Sequence, residues 1–287
     1  MQPKIGLALS GGGAKGFAHV GAIKSLEKHG ISVDVISGVS AGALVGGWYS
    51  SGRDIKEIEE ICYSTDFKDF LSLMFDPSRG GGLVAGRKIR KFIWAHLEEK
   101  KIENFRIKYS ATAVDIKKGE LFYFNKGDAT RAIMASIAIP GIFRPVFYRG
   151  KCLVDGGVME PISLDVVKEM GGEVNIGVDL TKFQVLASEI RRSGKFGIKE
   201  NVYLSIKLMQ RTLANKTFER HPDFIRIEPD VSKVGTLTFG SRKIAEDTIK
   251  KGEICMKKNI PKILEMIEKF KKGEKFPIKN LNSNHNK

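Results

Sequence analysis

Short apolar runs cut off by glycine or proline alternate along this chain with stretches whose apolar residues recur every third or fourth position. Lys4–Leu9 (KIGLAL), bounded by Pro3 and glycines, is the first such run and predicts a buried strand. From Gly16 to Lys28 the apolar residues Phe17, Val20, Ile23 and Leu26 take helical spacing. Val33–Ser37 predicts a second buried strand, Ala41–Ser51 a second helix, and Asp54–Tyr63 a third with Asp54 near its N-terminus. Gly86–Glu98 reads as a helix. Lys108–Asp115 and Leu121–Asn125 read as strands, joined through Lys117-Lys118-Gly119-Glu120, which suits a hairpin turn. Asp128–Ile139 predicts a helix ended by Pro140-Gly141. Cys152–Val154, Val174–Leu180 and Phe224–Ile227 predict strands, Asn201–Phe218 a long helix, and Ser241–Phe270 further helices.

Strands alternating with helices argue for an α/β fold whose mostly parallel sheet carries helices on both faces, with one inserted hairpin. No internal repeat or linker interrupts the pattern, so a single domain is expected over residues 1–270, followed by a Lys/Asn-rich basic tail, 271–287, expected to be disordered. Two stretches stand apart. In 64–86, Phe67, Phe70, Leu71, Leu73, Met74 and Phe75 crowd together before Pro77 and Gly80-Gly81-Gly82; this suits a lid or acyl-chain surface as well as ordinary core packing. Lys182–Lys199 is polar, basic and weakly patterned.

Composition removes several classes. With 287 residues, 42% hydrophobic and 28% charged, the chain is no disordered polymer, collagen or small disulfide scaffold. Three widely spaced cysteines, Cys62, Cys152 and Cys255, predict free thiols and no zinc site. The net charge of +15 favours anionic partners, either nucleic acid or an anionic membrane surface. No zinc-finger, RRM or KH signature is present, so a nucleic-acid partner is not expected. The apolar run Ile5–Leu9 is too short for a signal-peptide core, and the most apolar longer stretch, Ile31–Ser50, contains Asp34 and is broken by glycines. A soluble, cytoplasmic protein, peripheral to a membrane at most, is therefore expected.

The chemistry begins at Ser10-Gly11-Gly12-Gly13-Ala14-Lys15-Gly16, between the first strand and the first helix. Free amides at a helix start can hold a phosphate or the oxyanion of an acyl-transfer intermediate. Gly11, Gly13 and Gly16 also satisfy the dinucleotide pattern GxGxxG. Its acidic partner, however, would be Asp34 at the start of the next strand, away from a ribose at the strand's C-terminal edge. Phe17 stands where a P-loop needs its Lys and Ser/Thr. Gly38-Val39-Ser40-Ala41-Gly42 is GxSxG directly between strand and helix, the setting of a nucleophile elbow. Ser40 needs a base. Of the histidines, His285 lies in the tail, His29 suits a helix cap, His96 lies on a charged helix and His19 suits packing. Ser40, Asp155 and His221 follow the α/β-hydrolase order, but His221 precedes a strand and falls at the wrong edge. Asp155, in Val154-Asp155-Gly156-Gly157, sits at a strand's C-terminal end, where a partly desolvated carboxylate can act as the base.

SGGGAKG at 10–16, GVSAG at 38–42, ASIAIPGIFRP at 135–145 and VDGG at 154–157, in that order, resemble the patatin-like phospholipase family over residues 5–180. The resemblance implies a three-layer α/β/α sandwich and a Ser-Asp dyad, with Ser40 as nucleophile and Asp155 as base. It also implies an oxyanion hole from the amides of Gly11, Gly12 and Gly13, with Gly16, Gly38, Gly42, Gly156 and Gly157 as motif glycines. A lipid ester is the implied substrate, a phospholipid or lysophospholipid, with no metal and no other cofactor. Acyl transfer on the same dyad, or non-catalytic nucleotide or nucleic-acid binding by the glycine loop, are the alternatives.

Overall fold

A computed structural model describes residues 1–64, 76–77, 80–182, 197–235, 239 and 241–274. The predicted lid core, Phe67–Phe75, most of the basic stretch 182–199 and the tail beyond 274 lie outside the described residues. Strands are β1 (Ile5–Leu9), β2 (Val35–Val39), β3 (Lys108–Asp115), β4 (Glu120–Phe124), β5 (Val146–Tyr148), β6 (Lys151–Asp155), β7 (Val174–Val178) and β8 (Ile225–Ile227). Helices are α1 (Phe17–Lys28), α2 (Ala41–Ser50), α3 (Ile55–Ser64), α4 (Arg87–His96), α5 (Ala129–Ser136), α6 (Leu164–Glu169), α7 (Ile198–Arg220) and α8 (Arg242–Lys271).

The sheet runs β5-β6-β3-β2-β1-β7-β8, with β4 also on β3. Strands β3, β2, β1, β7 and β8 are mutually parallel. The expected hairpin pairs β3 with β4 antiparallel. Successive residues of a buried strand feed opposite faces. Leu7, Leu9 and Ile36 enter the larger core, with α1, α2, α3 and α8, while Ala8 and Val35 enter a second core with Leu164, Val167, Ala214 and Phe218 of α6 and α7. Helices therefore cover both faces, the expected three layers.

Three local expectations are corrected. β5 was not foreseen: three residues are too few for a period. Nor was α6, only six residues long. The C-terminal helices are one helix, α8, which runs through Pro261. Proline removes one intrahelical hydrogen bond. Packing outweighs that loss: α8 buries Ala245, Ile249, Gly252, Met256, Ile260 and Ile263, and crosses α1 so closely that a Cβ on Gly252 would lie 2.0 Å from the Ala18 carbonyl oxygen.

Candidate active site

β2 ends because the chain turns sharply at Ser40, which holds φ 52° and ψ −117°, a region an L-residue occupies only under strain. The turn is possible because the flanking residues lack side chains. A Cβ on Gly38 would lie 2.5 Å from the Gly42 carbonyl oxygen, and one on Gly42 would lie 2.2 Å from that of Leu9. A polar relay braces the elbow. The Ser40 N–H donates to Ser136 Oγ at 2.9 Å, and the Ser136 hydroxyl donates to the Thr112 carbonyl at 2.7 Å. Ser136 is fully buried at the end of α5 and lies in the ASIAIPGIFRP segment, which singled out the stretch without giving Ser136 this role.

Asp155 reaches Ser40 through sheet register. β2 pairs with β3 only as far as Val39 opposite Thr112. β3 continues, and its last three residues pair with β4 and with β6 at once, so those two strands take opposite edges. β4 already faces Ala111 and Thr112, where β2 holds the other edge. β6 therefore fills the edge that β2 vacates, running the opposite way. The C-terminal ends of β2 and β6 meet head-on, Ser40 after one and Asp155 closing the other.

Both side chains are buried. Burial pushes the Asp155 carboxyl up to about 6; hydrogen bonds from the Ser40 hydroxyl and the Gly157 N–H (2.8 Å), and the charge of Lys207, pull it partly back. The Asp155 N–H donates to Ala138 O at 3.0 Å, tying the 135–145 segment to the carboxylate.

The glycine loop lies against the elbow: a Cβ on Gly11 would be 3.4 Å from Ser40 Cβ. Of its three amides the structure leaves two. The Gly11 N–H donates to the Pro161 carbonyl at 2.9 Å, whereas those of Gly12 and Gly13 have no acceptor among the described residues. His19, fully buried beneath the loop, sets Nε2 2.8 Å from the Ser10 carbonyl. A carbonyl accepts only, so Nε2 carries the proton. Burial lowers the His19 pKa to about 4, leaving a neutral brace with its basic nitrogen turned away from Ser10.

The rival assignments do not assemble. His221 pairs with Asp165 of α6 at 2.8 Å, not with Ser40. Asp34 accepts the Ile5 N–H at 2.7 Å at the N-terminal ends of β1 and β2, across the sheet from the glycine loop. His29 caps α1 by bonding the Ser25 carbonyl.

Residues 182–222 carry no motif, yet α7 closes the site. Gln210 Nε2 donates to the Gly157 carbonyl at 3.0 Å, and Lys207 Nζ donates to Gln210 Oε1 at 3.1 Å. Burial lowers the Lys207 pKa and the Asp155 charge raises it; Lys15, buried and repelled by Lys207, falls to about 8. The distance in sequence hid these partners. Lys207→Met is expected to move the acid limb of the kcat/KM profile to higher pH, because the lost cation holds the Asp155 pKa down. Activity at pH 6 then falls several-fold while activity at pH 8 changes little; a profile on a soluble ester checks this, and an unmoved limb refutes the coupling.

The model for patatin-like phospholipases matches residues 7–168. Lysophospholipase NTE1 of Candida albicans is 29% identical over 306 residues, covering 96% of this chain and 22% of that protein. An uncharacterised NTE family protein of Mycobacterium tuberculosis is 35% identical over 180 residues, 62% of this chain and 49% of that one. The chain thus spans half or less of the length of these relatives. Among solved structures, VipD from Legionella pneumophila aligns with a TM-score of 0.52 at 14% identity, covering 93% of this chain and 67% of that one. ExoU in its complex with SpcU from Pseudomonas aeruginosa aligns with a TM-score of 0.51 at 17% identity, covering 92% and 52%. At such identities the likeness is one of fold.

Proposed function

We propose that this chain, which belongs to the patatin-like phospholipase family, is a serine hydrolase that cleaves the acyl ester of a phospholipid or lysophospholipid through Ser40 and Asp155. The observation that carries the reading is the head-on meeting of β2 and β6, which buries a carboxyl of pKa about 6 against a strained serine. A base with a pKa near the working pH is ionised and still accepts a proton readily.

In this reading the Asp155 carboxylate takes the Ser40 proton as Oγ attacks the ester carbonyl. The carbonyl oxygen becomes an oxyanion, received by the amides of Gly12 and Gly13. Each such donor is worth about 2.7–4 kcal/mol in the transition state. Collapse of the tetrahedral adduct expels the alcohol, which takes the proton from Asp155 and leaves an acyl-Ser40 ester. Water then gives a proton to Asp155, attacks the acyl carbonyl and releases the fatty acid, returning the proton to Ser40. The NTE1 relative carries lysophospholipase in its name, which supports a single-chain lipid as substrate. Exposed Val202, Ile206 and Met209 follow one face of α7, the helix that reaches the site through Gln210, and suit an acyl chain. No helix among the described residues is long and apolar enough to cross a membrane.

Incubation with 1-acyl lysophosphatidylcholine and with the matching diacyl lipid tests the reading. Fatty acid and the fully deacylated headgroup are expected in equal amounts from the lysolipid, with slower release from the diacyl form. Acyl chains recovered on an added lysolipid or alcohol acceptor, with no free acid, would replace hydrolysis by acyl transfer. No turnover of either lipid by folded protein would sink the assignment.

A further inference from the structure

One concave feature is not lined by Ser40. A cavity of about 580 Å³ opens between α4, α5 and the β5–β6 hairpin, and five arginines line it: Arg87, Arg90, Arg131, Arg144 and Arg149. No acidic residue lines it among the described residues. Arg87 is held by Asp76 at 2.7 Å. Among the described residues the other four have no carboxylate partner. The Arg131 and Arg149 guanidinium carbons lie 5.2 and 5.1 Å from the centre of the same Tyr148 ring. Like charges gathered this closely raise the energy of the free protein, and an anion among them reverses the sign.

The hairpin turn adds an independent observation. Arg149 and Gly150 hold φ 47° and 76°, the two-residue turn that ordinarily takes Asn-Gly. A long side chain at positive φ costs about 1–2 kcal/mol. That cost sets a guanidinium over Tyr148, at the rim of the cavity. Guanidinium groups match phosphate oxygens in pairs of parallel hydrogen bonds, which ammonium groups cannot do. Apolar residues flank the cations: Phe147, in the cavity wall, is 62% exposed, and Leu83, next to Val84, whose carbonyl accepts the Arg144 N–H, is 76% exposed. An apolar side chain beside a cationic pocket suits a bilayer surface better than a dissolved ion.

We propose that this arginine cavity binds the phosphate of an anionic lipid headgroup and so docks the protein on a membrane beside its catalytic site. The two sites share elements: α5 carries Arg131 at one end and Ser136, which bonds the Ser40 N–H, at the other, and β6 runs from beside the Arg149 turn to Asp155. The bound lipid is a second molecule, distinct from the one cleaved. Its choice as a lipid rests on the hydrolase reading above; the anion site itself does not.

Co-sedimentation with vesicles tests the proposal, using phosphatidylcholine alone and phosphatidylcholine with phosphatidic acid. Using Ser40→Ala as the parent keeps binding separate from chemistry, so a failure of the hydrolase reading leaves this result standing. The anionic vesicles are expected to bind at least about tenfold better, and Arg131→Gln/Arg144→Gln/Arg149→Gln to lose that gain. The equally neutralising Lys257→Gln/Lys258→Gln/Lys262→Gln, on exposed positions of α8, is expected to keep most of it. Arg149→Asn guards against a merely unfolded variant: Asn-Gly suits the turn, so its melting temperature rises while its vesicle binding weakens. Equal losses in the arginine and lysine variants would reduce the effect to net charge and overturn the proposal. So would binding of inorganic phosphate or duplex DNA that requires these arginines without any vesicle binding.

Discussion

Ser40→Ala is expected to lower ester hydrolysis by about 10⁴-fold or more, the scale seen when the nucleophile of a serine hydrolase is removed. A fluorophosphonate probe read by intact mass is expected to add once to the wild-type protein and not at all to the variant. The variant keeps the elbow, because the brace from Ser136 holds the backbone N–H of residue 40 and not its side chain. Its fold and lipid binding therefore survive. Alanine also keeps the unfavourable φ of 52°, so little stability is gained. Glycine relieves that conformation, and Ser40→Gly is expected to be equally inactive yet more stable by about 1 kcal/mol. Adduct formation on Ser40→Ala would place the nucleophile elsewhere.

Asp155→Asn is expected to separate activity from stability even more sharply. Loss of a general base costs about 10²–10⁴-fold. The asparagine still accepts the Gly157 N–H through its amide oxygen, so the loop it caps stays in place. Stability moves the other way. The folded carboxyl has a pKa of about 6 against the ordinary 3.8, so between pH 4 and 6 the folded state binds the proton more tightly than the unfolded chain. Wild-type stability therefore falls as pH rises through that window, and the full penalty is present above pH 6. Two pH units correspond to about 3 kcal/mol. Asparagine carries no such penalty. Its advantage in unfolding free energy is expected to be near zero at pH 4 and to reach about 2–3 kcal/mol at pH 8. Parallel denaturant titrations at the two pH values measure it. The wild-type kcat/KM profile is expected to fall below pH 6 with unit slope, as one carboxylate protonates. An advantage that is equal at both pH values, or a profile flat to pH 5, would show that Asp155 is not the titrating base.

Features whose physics is local were legible in the chain alone. GxSxG between a buried strand and a helix specifies the elbow, because Gly38 and Gly42 are required wherever the chain passes this close to itself. The glycine loop, the β3–β4 hairpin and the delivery of Asp155 at a strand end are likewise short-range patterns, and they stand at the expected residues. The two-sided sheet follows from apolar runs too continuous to face water on either side.

Features that depend on residues far apart in the chain arise only in the folded sheet. Register, not motif, brings Asp155 to Ser40: β6 occupies an edge that exists only because β2 stops three residues before β3 does. The Gly11 amide, equivalent to its neighbours in the sequence, is taken by the Pro161 carbonyl, while those of Gly12 and Gly13 have no acceptor among the described residues. Ser136 braces an elbow 96 residues away, and Gln210 grips a carbonyl 53 residues away. Five arginines scattered from 87 to 149 become one cavity. A local pattern fixes backbone conformation over a few residues. Which amide is spent, which charge shifts a carboxyl and which cations share a hollow are set by three-dimensional neighbours, and these exist only once the sheet has formed.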